Sequence, residues 1–308
     1  MKDKKTVKIL LLIIIVVGAS IFGFIHAKSL GVGLFEEKVH NASITSESDI
    51  IAMGGSFYNN VCKLENDVTL YQSFGLATRE NPFVGVFDGN GHTITISDNA
   101  QNSLFGYIGE GGVVKNLHIV VVSTEFTEKT AAIIALENEG TIINCKVTVK
   151  YVGVKASGNY GAVVSTNRGV IKNVVVSSSF ESKSTDNQTR RTIMGGICAY
   201  NYGEIDSCIS EVSYKGYPET IKSNIFSGNA VNNSIGAVCG VNNGTVKNSV
   251  SVISESTYVS DNKNKEITFV TDNNRKDVFS EENLFENLGF NEDLWIFING
   301  EFSLIQGE

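Results

Sequence analysis

Few side chains in this 308-residue chain could carry acid–base chemistry: Arg79, Asp88, Asp98, His92 and His118. Carboxylates beside basic groups are what glycan cleavage requires. Asp88, however, stands in Phe87-Asp-Gly-Asn-Gly-His92. There an aspartate bonds its own backbone and glycines supply positive φ, so a tight turn is expected. His92 precedes a Thr-Ile-Thr-Ile alternation and reads as an exposed strand end, while His118, between Leu117 and Ile119, should point outwards. Asp272-Asn-Asn offers oxygen ligands for calcium, but its spacing matches no calcium loop, and no Cys-x-x-Cys or Cys-His spacing suggests zinc. Neither a catalytic residue nor a cofactor is expected.

The elements that must position these residues come from a repeated phrase. A small-residue and aliphatic run, usually Asn-x-Gly, an aliphatic residue and usually a second Asn recur five times between Gly112 and Asn248. The anchor glycines are 112, 140, 169, 203 and 244, giving periods of 28, 29, 34 and 41 residues. Periods of this size mark a solenoid, whose units bury their apolar faces only by stacking. Between the glycines lie short Val, Ile and Thr runs such as Ile119–Val122 and Val174–Val176, so each unit should be strands and turns, three of each per coil. Only Pro82 and Pro218 interrupt the supply of backbone donors.

Alignment on the glycine gives columns. Two places on stand Val114, Ile142, Ile171, Ile205 and Val246, a core column. Next come Lys115, Ile143, Lys172, Asp206 and Lys247, which alternation puts outside. Four places on are Asn116, Asn144, Asn173, Ser207 and Asn248, a corner where Asn tolerates left-handed backbone and an amide can bond to the next copy. Cys145 and Cys208 share a column interrupted by Val174, roughly 9.6 Å apart at about 4.8 Å per coil, too far for a disulfide. Cys198 and Cys239 occupy one column in consecutive copies, where a bridge is geometrically allowed and free stacked thiols are the expected state.

The phrase Gly195-Gly-Ile-Cys-Ala-Tyr-Asn-Tyr-Gly-Glu-Ile-Asp-Ser-Cys208 resembles the GLUG motif of bacterial surface proteins. Phe83–Ile94 is similar to the segment that opens such arrays, there and in non-catalytic parts of immunoglobulin A peptidases, and Leu284–Gly300 to the segment that closes them. The resemblance covers roughly residues 60 to 305. It implies an all-β chain folded as a single right-handed parallel β-helix like that of pectin lyases, set at the bacterial cell surface. The first copy departs by having Glu110 where Asn is usual, and the second by opening on Ala132-Ile133.

Lys2, Lys4, Lys5 and Lys8 precede seventeen uncharged residues, Ile9 to Ile25, expected to form a membrane or signal helix. As a helix the run reaches about 25 Å, slightly short of a bilayer core of about 30 Å. Ile25-His-Ala27 lacks a small residue at Ile25, so a cleaved signal peptide and an uncleaved anchor both stay open. Either way the rest of the chain is exported: cell-surface, membrane-anchored or secreted. The expected divisions are 1–27 signal or anchor, 28–55 linker and N-terminal cap, 56–278 parallel β-helix, and 279–308 C-terminal cap over the open lower end. The net charge of −8 argues against nucleic acid.

The expected function is therefore a non-enzymatic surface β-helix, an adhesin-like binding or spacer module whose partner is a glycan or a host or cell-surface protein. Inserts at 181–191, 215–233 and 257–276 lengthen successive units, and loops on a rigid solenoid collect recognition residues. Tyr214, Tyr217 and Tyr258 in or beside them are candidate sugar-stacking residues, and Lys115, Lys172 and Lys247 a candidate stripe for an acidic polymer. The alternatives are a carbohydrate-active lyase or hydrolase of pectin lyase-like fold, by fold analogy, and a scaffold for another exported protein.

Overall fold

The computed structural model describes residues 41–53, 60–72, 75–97, 103–124, 130–152, 158–181, 192–215, 234–253, 265–270, 275–298 and 301–307. The Val, Ile and Thr runs become short strands, four instead of three in each of the units anchored at Gly140, Gly169 and Gly203. In the third unit they are Asn159–Gly161, Val164–Asn167, Val170–Lys172 and Val175–Glu181. Each pairs parallel and in register with its counterparts in the units before and after: Tyr160 with Ala131 and Met194, Val164 with Ala135 and Cys198, Ile171 with Ile142 and Ile205, Val176 with Val147 and Ser210. The result is a parallel β-solenoid.

The extra strand arises at the corner column. Asn116, Asn144, Asn173, Ser207 and Asn248 all have left-handed backbone, with φ between 47° and 53°. The first four turn the chain sharply between a three-residue strand and a longer one, and Asn248 makes the same corner within the single strand Thr245–Ile253. The stacks on either side of the corner form two arms of one 15-stranded sheet, because Thr245–Ile253 runs through both as a single strand. A five-stranded and a four-stranded sheet complete the coil.

The columns settle as the spacing predicts. Val114, Ile142, Ile171, Ile205 and Val246 are buried, and so are Leu117, Cys145, Val174 and Cys208 just past the corner. The anchor glycines are fixed by close approach: a Cβ on Gly169 would collide with the carbonyl oxygen of Gly140, and one on Gly203 with that of Gly169.

One register differs from expectation. Ile108, not Glu110, lies beneath Asn138, and Glu110 belongs to a turn two residues longer, closed by Gly111 at φ 84°. The continuous amide ladder is also in a different column from the one expected. Asn138 donates to Asn167 (2.8 Å), Asn167 to Asn201 (2.9 Å) and Asn201 to Asn242 (2.8 Å), all from Asn-x-Gly positions. At the corner only Asn144 donates to Asn116, at 3.4 Å, and Asn173 turns instead to the carbonyl of Gly289.

At the N-terminal end the strand Asn41–Ile44 opens the stack and the helix Glu47–Met53 buries Ile50 and Met53 on the core. Asp49 accepts from the backbone of Thr45 and Ser46 while Ser46 Oγ accepts from Asp49 N–H, a reciprocal cap.

The C-terminal segment does not close the open lower end, where Lys265–Val270 instead adds a parallel strand to Thr245–Ile253. It runs along the flank as a strap containing a π-helical turn, Glu282–Asn287, and an antiparallel hairpin, Trp295–Ile298 with Glu301–Leu304. Val278, Leu284, Leu288, Phe290, Trp295 and Phe302 pack on Val175, Ile209 and Val250. These three are outward-facing residues of the longer arm, and their apolar character requires cover from outside. The strap ends at the opening coils, where Gly307 N–H donates to Asn90 O at 2.8 Å and Gln306 reaches Asp67. The N-terminal hydrophobic run lies outside the described residues, and among those no helix is long and apolar enough to cross a membrane.

Candidate functional site

A cleft of about 260 Å³ opens between the strap and the outer face of the longer arm. Its floor crosses successive coils, since Thr148, Ser177, Glu211 and Val252 are paired in register. Val175 and Ile209 form its apolar part, and Phe279, Glu301 and Phe302 of the strap its other wall. Lys146 lies at one end and donates from Nζ to the carbonyl of Phe302 at 2.5 Å. Burial pushes its ammonium below the ordinary lysine value, against the opposing pull of Glu301. Hydroxyls, two carboxylates, one ammonium and two phenyl rings therefore meet in one concave space.

Next to it, His118 faces outwards as expected but is not free. Its ring nitrogens lie 3.3 Å from Thr93 Oγ1 and 3.4 Å from Thr148 Oγ1. Burial first, then the charge of Lys146, push its pKa down to about 4, against Asp67.

The other candidates take structural positions. Asp88 Oδ1 accepts from Asn90 N–H (2.9 Å) and from the Asn116 amide (3.0 Å), the tight turn anticipated. Arg79 is paired with Glu137 and lies over the Tyr107 ring, 5.1 Å from its centroid. His92 Nδ1 is 3.4 Å from Asp67. Asp98 and 272–274 lie outside the described residues.

The lysine column is neutralised by carboxylates on either side of Ile143, which interrupts it between Lys115 and Lys172. Lys115 pairs with Asp88 at 3.1 Å, Lys172 with Asp206 at 3.4 Å, and Lys247 with Glu204 at 2.8 Å and Asp206 at 3.9 Å. Burial pushes the Asp206 carboxyl up, but the Asn248 amide, Ser207 and the two lysines together draw it below its ordinary value. Tyr214 stacks on Phe180, which stacks on Tyr151, and donates its hydroxyl to Gly236 O at 2.8 Å, so its ring is packed on the core. Tyr217 and Tyr258 lie outside the described residues.

All five cysteines are buried and none is in a disulfide. Cys198 and Cys239 pair in register with their thiols in contact. Burial pushes the Cys145 and Cys208 thiols up to about 12.

Two features escaped the sequence reading. Tyr200 and Tyr202 stack in parallel on the outside of the five-stranded sheet, with Arg168 4.7 Å above the Tyr202 ring, which is 43% exposed. The cleft itself was signalled only by Val175, Ile209 and Val250, apolar at positions that alternation points outwards.

Fold and cleft together define a parallel β-solenoid with a strapped flank. No protein-family model and no curated protein matches the chain. Among solved structures it is similar to a putative immunoglobulin A1 protease from Bacteroides ovatus, with a TM-score of 0.55 and 17% identity over 90% of this chain and 97% of that one. At that identity the likeness speaks to the fold alone.

Proposed function

We propose that this chain is an exported, non-enzymatic, right-handed surface β-helix of the GLUG-motif kind, acting as an adhesin-like binding or spacer module. The observation that carries this reading is how the repeat uses its polar groups. Asp88, Lys115, Lys172, Asp206, Glu204 and Lys247 neutralise one another from coil to coil, and Asn138, Asn167, Asn201 and Asn242 bond up the stack. Recurring chemistry used this way makes a stiff rod that presents whatever does not repeat. Its partner is a glycan or a host or cell-surface protein. The basic, apolar N-terminus contacts the membrane if it is not cleaved, and no cofactor takes part.

A glycan array and a cell-adhesion assay with the full chain, run beside an assay for unsaturated sugar products by absorbance, test this. Binding without turnover is expected. Product formation abolished by Glu211→Gln would replace it with the second reading, a carbohydrate-active lyase or hydrolase. That reading is favoured by Lys146, Glu211 and Glu301 lining one cleft.

A further inference from the structure

We propose that the cleft between the strap and the longer arm binds a single neutral sugar residue, with Glu211 and Glu301 accepting from its hydroxyls. This deepens the reading of the chain as a glycan-binding module and rests on it.

The cleft's composition selects among ligand classes. Two carboxylates against one ammonium leave an excess of negative charge, which disfavours phosphate, sulfate or uronate. The Lys146 ammonium is already engaged by the Phe302 carbonyl and drawn towards Glu301, so it does not offset Glu211. An apolar ligand would cover Glu211 and Ser177 while offering them no hydrogen bonds, at a cost in desolvation. Among the described residues no group of three His, Cys, Asp or Glu stands close enough to hold a metal ion.

A sugar ring satisfies both halves of the wall. Its hydroxyls donate to carboxylates and accept from Ser177, Thr148 and Lys146, and its C–H faces lie against Phe279, Phe302 and Val252. The volume of about 260 Å³ falls just under the roughly 300 Å³ at which pockets begin to enclose drug-sized ligands, which suits one ring. The in-register hydroxyl and carboxylate of Ser177 and Glu211 sit on rigid paired strands, so little ordering is needed on binding.

The test is saturation-transfer NMR on the full-length chain, held in a detergent without sugar headgroups. Probes are glucose, galactose, mannose and N-acetylglucosamine, with glucuronate as the anionic counterpart and glucosamine as the cationic one. Saturation of at least one neutral sugar is expected, with glucuronate weaker by about tenfold or more. Glu211→Gln and Ser177→Leu, the second filling the cleft while leaving the carboxylate, should each lower affinity about tenfold with the unfolding midpoint unchanged. Tyr202→Ala, just past the end of a strand of the five-stranded sheet, should leave it intact. The inference is overturned if no neutral sugar saturates, if glucuronate or glucosamine is preferred, or if the two cleft variants bind like wild type. In each of those cases the array and adhesion assays still decide separately whether the chain is a binding module. Binding lost only in Tyr202→Ala would move the sugar site to the tyrosine face and leave that module reading standing.

Discussion

Asn167 donates its side-chain amide to Asn201 Oδ1 at 2.9 Å, and both residues are fully buried. Asn167 in turn accepts from Asn138 at 2.8 Å. Replacing it with alanine strands a donor below and an acceptor above. Asn167→Ala should therefore destabilise by roughly 2–4 kcal/mol. Asn138 stands over Ile108 and its Oδ1 has no partner, so Asn138→Ala should cost less, about 1–2 kcal/mol. Urea unfolding of the two variants checks the order.

Close approach at the anchor glycines gives a second prediction. Gly169→Ala pushes a methyl into the carbonyls of Gly140 and Glu139. Neither is a flexible side chain, so the strands must separate, and a loss of about 3 kcal/mol is expected. Gly75→Ala, which meets nothing within 4 Å, should fall within about 0.5 kcal/mol of wild type. Thermal melts in parallel distinguish them.

His118 predicts a pH dependence with a defined sign. Its folded pKa is depressed from 6.5 to about 4, so the unfolded chain binds the proton first as pH falls. The neutral form contributes stability that is fully present above about pH 6.5 and is lost as pH drops towards 4, with an upper limit of roughly 3 kcal/mol. His118→Gln should flatten this part of the profile in denaturant titrations between pH 7 and 4.

The strap holds Trp295, the chain's only tryptophan, packed edge-on against Phe290 and Phe302. Phe302→Ala should cost about 3–5 kcal/mol. It should also shift tryptophan emission to the red as water reaches the indole. Deleting residues after 278 exposes Val175, Ile209 and Val250 together and should yield aggregated protein in size-exclusion chromatography. A monomeric, cooperatively unfolding truncation would show that the flank does not depend on its cover.

Burial raises the thiol of Cys62 to about 11 and those of Cys145 and Cys208 to about 12, which leaves little thiolate to react. A disulfide-exchange reagent should label no cysteine rapidly in the native chain and all five after denaturation. Four labelled thiols would instead reveal one cysteine blocked by modification or an intermolecular disulfide, and three a Cys198–Cys239 bridge.

Much of the fold is legible in the spacing. Val114, Ile142, Ile171, Ile205 and Val246 recur at a fixed place after a glycine, and their strands pair with the corresponding strands of neighbouring units. A local repeat encodes such contacts, because each unit must meet a near copy of itself. The same logic placed the left-handed corner at Asn116, Asn144, Asn173, Ser207 and Asn248 and kept Cys145 from Cys208. It did not distinguish which asparagine column would bond continuously, since both recur equally well. That depends on whether an amide points along the stack, as at Asn167, or is diverted, as Asn173 is to Gly289.

The sequence by itself thus determined the solenoid, its core columns and the stacking of one coil on the next, because those interactions repeat with the chain. Only the tertiary structure decided the path of the strap, the cleft beneath it and the company of Lys146, Glu211 and Glu301. Asn173 bonds to Gly289, Lys146 to Phe302 and Gln306 to Asp67 across separations of 116, 156 and 239 residues, each once. Contacts that occur once and over such distances leave no period to read, and they are fixed only when apolar residues on the flank find the segment that covers them.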